Sequence, residues 1–297
     1  MSILSSIKFE VEMTELILGD NQFLGVNHRS EELGRQSSTK FSDKSEIFNF
    51  LAECKDLGIS SFMFTTHEKI LPVLEDIRRS KHFENYSLYP CLPYAHKYAD
   101  SVTQNGVLKT VTQFSYSNLV SFMYNGVSGL LTGNAKFIMK SLVDAELEKI
   151  PSHVLKCVYL QNLVTDLLLG LGMEDLLLEF AEHITGKYGT EVGFVTMNYP
   201  LLCDRLTKAD SNFSYRVCTN VNKNGFRMNP SKESVLSTLK NGSNHVTAMS
   251  IFASGSLQPE EAIKFISSTK GLNACLFGSS KIQNVKNNIL SFDKNLS

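Results

Sequence analysis

Short apolar or β-branched runs alternate with longer segments of helical periodicity along most of this chain. That alternation predicts repeated strand–helix units around a parallel sheet. The first predicted strand is Glu15–Leu18, followed by Gly19, Asp20, Asn21 and Gln22, a polar loop, and a helix over Asp43–Leu57 that Gly58 closes. Ser60–Phe64 predicts the second strand, with Thr65, Thr66, His67 and Glu68 ahead of a helix over Ile70–Ser80, and Ser87–Leu92 predicts the third. About sixty residues separate it from the fourth, Val154–Leu160. A connection that long is expected to hold helices of its own. Within it, Phe114–Gly133 reads either as a lid over a cavity or as a helix packed on the outside.

The fourth strand ends in Gln161 and Asn162, and a leucine-rich helix is expected over Met173–Lys187. Glu191–Met197 predicts strand five, with Asn198 and Tyr199 at its end, and Tyr215–Thr219 predicts strand six, running into Asn220, Asn222 and Lys223. Ser231 has the character of a helix cap. His245–Phe252 predicts strand seven, with Pro259 and two glutamates opening its helix, and Asn273–Phe277 predicts strand eight, with an amphipathic helix to Leu290. Eight units fill the template of a single (β/α)8 TIM barrel over 1–297, with a helical insertion between strands three and four at about 97–152. A doubly wound open sheet would carry a glycine-rich turn after strand one, and Gly19-Asp20-Asn21-Gln22 is no such turn.

Composition narrows the class. The chain has 297 residues, 42% hydrophobic and 20% charged, with a net charge of -1, so it has material for a large core and no field that would draw nucleic acid. No stretch approaches the roughly 18 apolar residues of a membrane span. Lys8, Glu10 and Glu12 interrupt any apolar signal segment, so the reading is a soluble cytoplasmic protein with no membrane partner, and a homo-oligomer is compatible with it. The six cysteines are scattered without a C-x-x-C pair, as expected of reduced core residues.

Barrels commonly bind phosphate through the loops after strands seven and eight and a helix N-terminus, where free amides and the helix dipole face the anion. Ser254, Gly255 and Ser256 form the first of these loops here; Gly278, Ser279, Ser280 and Lys281 form the second. Each also suits an ordinary turn. Together they predict a phosphate-bearing small-molecule ligand.

The run Leu272–Ile289, an apolar strand, Gly278-Ser279-Ser280-Lys281 and a helix with Asn284 and Asn288, resembles the last strand and helix of the aldo-keto reductase family. Lys55–Thr66 and Met197–Leu202 are weaker echoes. The resemblance implies a (β/α)8 barrel whose last loop and helix, Asn284 included, hold the phosphates of NAD(P). It also implies a catalytic Asp, Tyr, Lys and His at the ends of the early strands. That tetrad is not recognisable: Thr65 or Thr66 stands where the Asp would follow strand two, Tyr94, His96 and Lys97 follow strand three, and Gln161 stands at the place of the His.

Residues at the C-terminal ends of barrel strands share one cavity. Asp20, His67 and His96 are therefore candidates for acid/base work, with Tyr94 a candidate proton donor, because imidazole titrates near neutrality and a carboxylate can orient it. No ligand spacing supports a metal site. Asn21, Gln22, Gln161, Asn162, Asn198 and Asn222 would line the cavity with amides, and His28 and Arg29 lie in a long loop on the same side, Arg29 as an anion clamp. The expected function is acid/base catalysis, of isomerase, epimerase or lyase type, on a small phosphorylated, polyhydroxylated or carbonyl-bearing compound. The alternatives are an NAD(P)-dependent oxidoreductase and a catalytically silent ligand-binding barrel.

Overall fold

A computed structural model describes residues 13, 15–26, 30–93, 135–150, 154–209 and 213–296. Eight parallel strands close into a barrel in chain order, β1 pairing with β8. They are β1 Glu15–Leu18, β2 Ser61–Thr65, β3 Ser87–Leu92, β4 Cys157–Leu160, β5 Glu191–Thr196, β6 Arg216–Asn220, β7 His245–Met249 and β8 Ala274–Phe277. The closing ladder runs from Glu15 opposite Ala274 to Leu18 opposite Phe277.

Ten helices surround the described barrel: α1 Glu31–Lys40, α2 Lys44–Asp56, α3 Leu71–Arg79, α4 Ala135–Leu147, α5 Asn162–Leu171, α6 Glu174–His183, α7 Tyr199–Lys208, α8 Lys232–Asn241, α9 Pro259–Ser267 and α10 Ile282–Leu296. Helix α4 belongs to the segment between β3 and β4. The stretch from Tyr94 to Gly133 lies outside the described residues, so the lid reading of Phe114–Gly133 does too.

Three helices break the expected pattern for physical reasons. Helix α1 has only Gly34 buried, so it carries no apolar period for a sequence reading to find; Ser30 caps it through its hydroxyl. Helix α5 is leucine-rich and ends where Gly172 turns left-handed at φ 68°, separating it from α6. Helix α7 opens at once after β5, with Asn198 accepting from the Leu201 amide and Pro200 in the first turn. Strand β7 also stops short of the expected Phe252, because Ser250 takes a left-handed φ of 56°.

Side chains alternate along each strand between the barrel interior and the layer under the helices. On β2, Met63 points in while Phe62 and Phe64 join the outer core; on β5, Val195 points in while Val192 and Phe194 point out. Ile17, Met63, Tyr89, Cys91, Cys157, Tyr159, Val195, Cys218 and Ala274 fill the interior. All six cysteines are unpaired, and five are buried.

Tyr159 fits because its register partner is Gly193. A Cβ at residue 193 would overlap the Tyr159 ring.

The N-terminal end of the barrel is closed by ions. Arg216 Nε meets Glu191 Oε2 at 2.8 Å and its Nη1 meets Glu15 Oε2 at 3.7 Å. Glu15 Oε1 also accepts from Tyr89 Oη at 2.6 Å and Ser61 Oγ at 2.5 Å, and Arg216 Nη1 lies 3.3 Å from His245 Nε2. One buried guanidinium thereby ties six strands together.

Two substitutions test this architecture. Gly193→Ala overpacks the interior and is expected to cost about 1–3 kcal/mol, lowering the melting temperature by several degrees. An unchanged calorimetric melt would show that Tyr159 is not held there. Arg216→Met strands Glu15 and Glu191; breaking a buried pair costs about 3–5 kcal/mol, and the half-exposed Glu191 places the expected loss below that figure. A denaturant midpoint equal to that of the parent would remove the network from the account of stability.

Candidate active site at the barrel mouth

Among the described residues, those that the sequence pattern puts after the strands belong to the C-terminal rim of the barrel. The best-defined group there is Asp20. It follows β1, is 8% exposed, and directs Oδ2 at the last residue of β2, accepting from the Thr65 amide at 2.7 Å and the Thr65 hydroxyl at 2.8 Å. A turn in which Phe23 N donates to the Asp20 carbonyl and Val26 N to that of Asn21 fixes the backbone behind it. No hydrogen bond from another described residue reaches Oδ1. Burial pushes the Asp20 carboxyl above its ordinary range, with the two Thr65 bonds pulling the other way.

Gln22 is buried beside it. Its Nε2 donates to the Gly19 carbonyl at 2.6 Å, which leaves Oε1 buried without a partner. A Cβ on Gly278 would come within 2.5 Å of that oxygen, so the glycine at the end of β8 makes room for the Gln22 amide.

His67 does not join Asp20 through its Nδ1, which accepts from the Lys69 amide at 3.0 Å. Burial holds its imidazole below the usual range. Tyr94, His96, His28 and Arg29 lie outside the described residues. Gln161 follows β4 as the cap residue of α5, its Oε1 buried and without a hydrogen-bond partner among the described residues, while Asn162 is the first residue of α5. Asn198 caps α7, and Asn222 is buried with its amide closed on Phe226, donating to the carbonyl at 2.9 Å and accepting from the nitrogen at 2.8 Å. Asn198 and Asn222 therefore shape the rim. Asn21 is exposed on it.

Two carboxylates absent from the sequence reading also reach the rim. Glu146 on α4, 5% exposed, accepts from Thr66 Oγ1 at 2.5 Å. Asp166 on α5 accepts from Thr196 Oγ1 at 2.5 Å and from the Met197 amide at 3.0 Å, and burial raises its carboxyl. Each holds a threonine at a strand end, as Asp20 does. No sequence spacing links these pairs, which lie 30 to 80 positions apart.

The two expected anion loops differ. After β7, Ala253, Ser254 and Gly255 take positive φ, but Gly255 N donates to Phe252 and Ser256 Oγ to the Ala253 carbonyl, so much of that loop is closed on itself. After β8, Ser279 is buried and exchanges bonds with the Lys281 backbone at the start of α10. Lys40 of α1 reaches the Ser280 carbonyl at 2.6 Å, placing a cation beside this N-terminus. Gly278, Lys281 and Asn284 are exposed.

No family model and no curated protein matches the sequence. Solved structures do. Two are of Pseudomonas aeruginosa proteins described as aldo-keto reductases. The first has TM-score 0.59 and 13% identity over 96% of this chain and 92% of the other; the second has TM-score 0.62 and 12% identity over 96% and 91%. A third, a thermostable aldo-keto reductase with the inhibitor epalrestat, has TM-score 0.58 and 11% identity over 96% and 93%. The chain shares the barrel fold of these three structures. At such identity the likeness is one of fold.

Among the described residues no group of three or more His, Cys, Asp or Glu side chains is placed to hold a metal. None of its described helices is long and apolar enough to cross a membrane. Of the two threonines at the end of β2, Thr65 is bonded to the Asp20 carboxylate and Thr66 to that of Glu146.

A buried carboxylate with a raised pKa has a stability signature. Its neutral form is favoured on folding, so its contribution is fully present below about pH 3.8 and is lost as pH rises through the folded value. Asp20→Asn removes that loss. The variant is expected to melt above the parent at pH 7, with the gap closing toward pH 3; a lower melt at neutral pH would mean that the carboxylate is a structural necessity.

Proposed function

We propose that this chain is an enzyme that acts on a small carbonyl-bearing or polyhydroxylated compound by proton transfer through Asp20. The observation that carries this reading is the asymmetry of that carboxylate at the rim of a barrel: Oδ2 is fixed by both donors of Thr65, and no hydrogen bond from another described residue reaches Oδ1. Burial raises its affinity for a proton, against the Thr65 bonds that lower it. Isomerisation, epimerisation and elimination all need such a group. His67, His96 and Tyr94 remain candidates for the second proton carrier.

The fold likeness supports a second reading, an NAD(P)-dependent oxidoreductase. The features that favour the phosphate end of such a cofactor are the amides of Gly278, Ser279 and Ser280, which precede α10, and Lys40, which adds charge there. A bound nicotinamide would supply hydride. Under this reading Asp20, with Tyr94 or His96, would deliver the proton, and Gln22, Gln161 and Asn21 would meet polar groups of the ligand. The same β8 loop would hold the phosphate of a phosphorylated substrate under the first reading.

The two readings separate in one experiment. The protein is assayed against phosphorylated sugars and simple carbonyl compounds, with and without NADPH and NADH, following cofactor absorbance and product by mass spectrometry. Turnover without nucleotide supports isomerase or lyase chemistry, and nucleotide-dependent turnover supports the oxidoreductase. In either case Asp20→Asn is expected to lower kcat by about a hundredfold or more, the usual scale of a lost acid/base group, with little change in binding. Full activity in that variant would refute the assignment of Asp20.

A further inference from the structure

We propose that Thr65 is the positioning residue of this site, holding one oxygen of Asp20 so that the other alone exchanges a proton with a ligand. This rests on the proposed role of Asp20 and goes beyond it, because it explains how a carboxylate borne on the β1 loop works at the end of β2.

The geometry is direct. Leu18 at the end of β1 is in register with Phe62 of β2, so the residues that follow Leu18 run beside Phe64 and Thr65. Asp20 reaches across that seam. The Thr65 amide is fixed by the end of its own strand, which pairs Thr65 with Cys91 of β3. The Thr65 hydroxyl adds a second donor to the same Oδ2, at 2.8 Å beside the amide at 2.7 Å. Two donors on one oxygen set the plane of the carboxyl group and draw negative charge to Oδ2. They also stabilise the ionised form, against a burial that penalises it. A proton taken from a ligand C–H or O–H therefore adds to Oδ1 and leaves from Oδ1, while Oδ2 keeps both bonds.

The other groups around the carboxyl do not supply this control. Its proton affinity is raised by burial and lowered by the Thr65 amide, the Thr65 hydroxyl and the Asp20 amide, in that order. On β3, the neighbouring Cys91 thiol is itself pushed up, first by burial and then by Cys218, Asp20 and Glu146, so it stays neutral beside them. Thr66, one residue on, serves Glu146 of α4 instead. Thr65 thus carries the only side-chain hydrogen bond to Asp20 among the described residues.

The test is a carboxyl-carbon NMR titration of Asp20, assigned with Asp20→Asn, in the parent, Thr65→Val and Thr65→Ser. Valine keeps the shape and loses the hydroxyl; serine restores it. The Asp20 midpoint is expected to move to higher pH in Thr65→Val and to return toward the parent in Thr65→Ser, with circular dichroism unchanged. Any pH–rate inflection should move the same way. Should Thr65→Val fail to fold, the unaltered protein still decides: the Thr65 amide proton must titrate with the Asp20 midpoint. Equal midpoints in the three proteins, or a Thr65 amide insensitive to that titration, overturn the proposal. The expected titrations together with full turnover by Asp20→Asn would instead overturn the proposed catalytic role and leave the Thr65 clamp standing.

Discussion

Closing eight parallel strands into a ring satisfies every internal strand edge and leaves two faces that must both be apolar, one toward the helices and one toward the axis. Polar chemistry is thereby confined to the two ends. The interior of this barrel obeys that constraint closely, with Ile17, Met63, Cys157, Val195, Cys218 and Ala274 around Tyr159. Gly193 is the concession that lets a ring of that size lie on the axis, since any side chain there would occupy the same space. A plugged axis divides the molecule into a floor and a mouth that do not share solvent.

The two ends use charge in different ways. At the floor, Glu15 and Glu191 face Arg216, and Tyr89, Ser61 and His245 complete the group, so opposite charges meet with most hydrogen-bonding capacity filled. A barrel floor of this kind reads as stability. At the mouth, Asp20, Glu146 and Asp166 each hold a threonine at a strand end. Threonine is well suited to that place: its β-branch favours the strand, and its hydroxyl and amide together give a carboxylate two donors on one side. Burial then raises Asp20 and Asp166 where an ion pair would have lowered them.

The barrel was legible because its signal is periodic. Eight apolar runs and their intervening helices can be counted in a single sequence, and the ends of β1 and β3 fall where the pattern puts them. What escaped detection lacks such a signal. Helix α1 is polar nearly all round, and the ends of β2 and β6 are displaced by one residue because Thr65 and Asn220 are polar yet continue their ladders. At the site, Asp20, Gln22 and Gln161 could be nominated from their places after strands. The burial of Asn222 within its own loop could not, because a local amide bond and a ligand-facing amide look alike in sequence. Glu146 and Asp166 sit on helices and act on threonines far along the chain, contacts that only folding creates.

The Asp20–Thr65 pair shows why a strand-by-strand comparison of residues misses chemistry in a barrel. Adjacent strand ends lie about 4.8 Å apart, less than the reach of an aspartate with its hydrogen bond. A carboxylate can therefore act over one strand while its Cα belongs to the next. The last residue of β2 is a threonine, yet a carboxylate reaches it from the loop after β1. The function of such a barrel follows from where its oxygens converge.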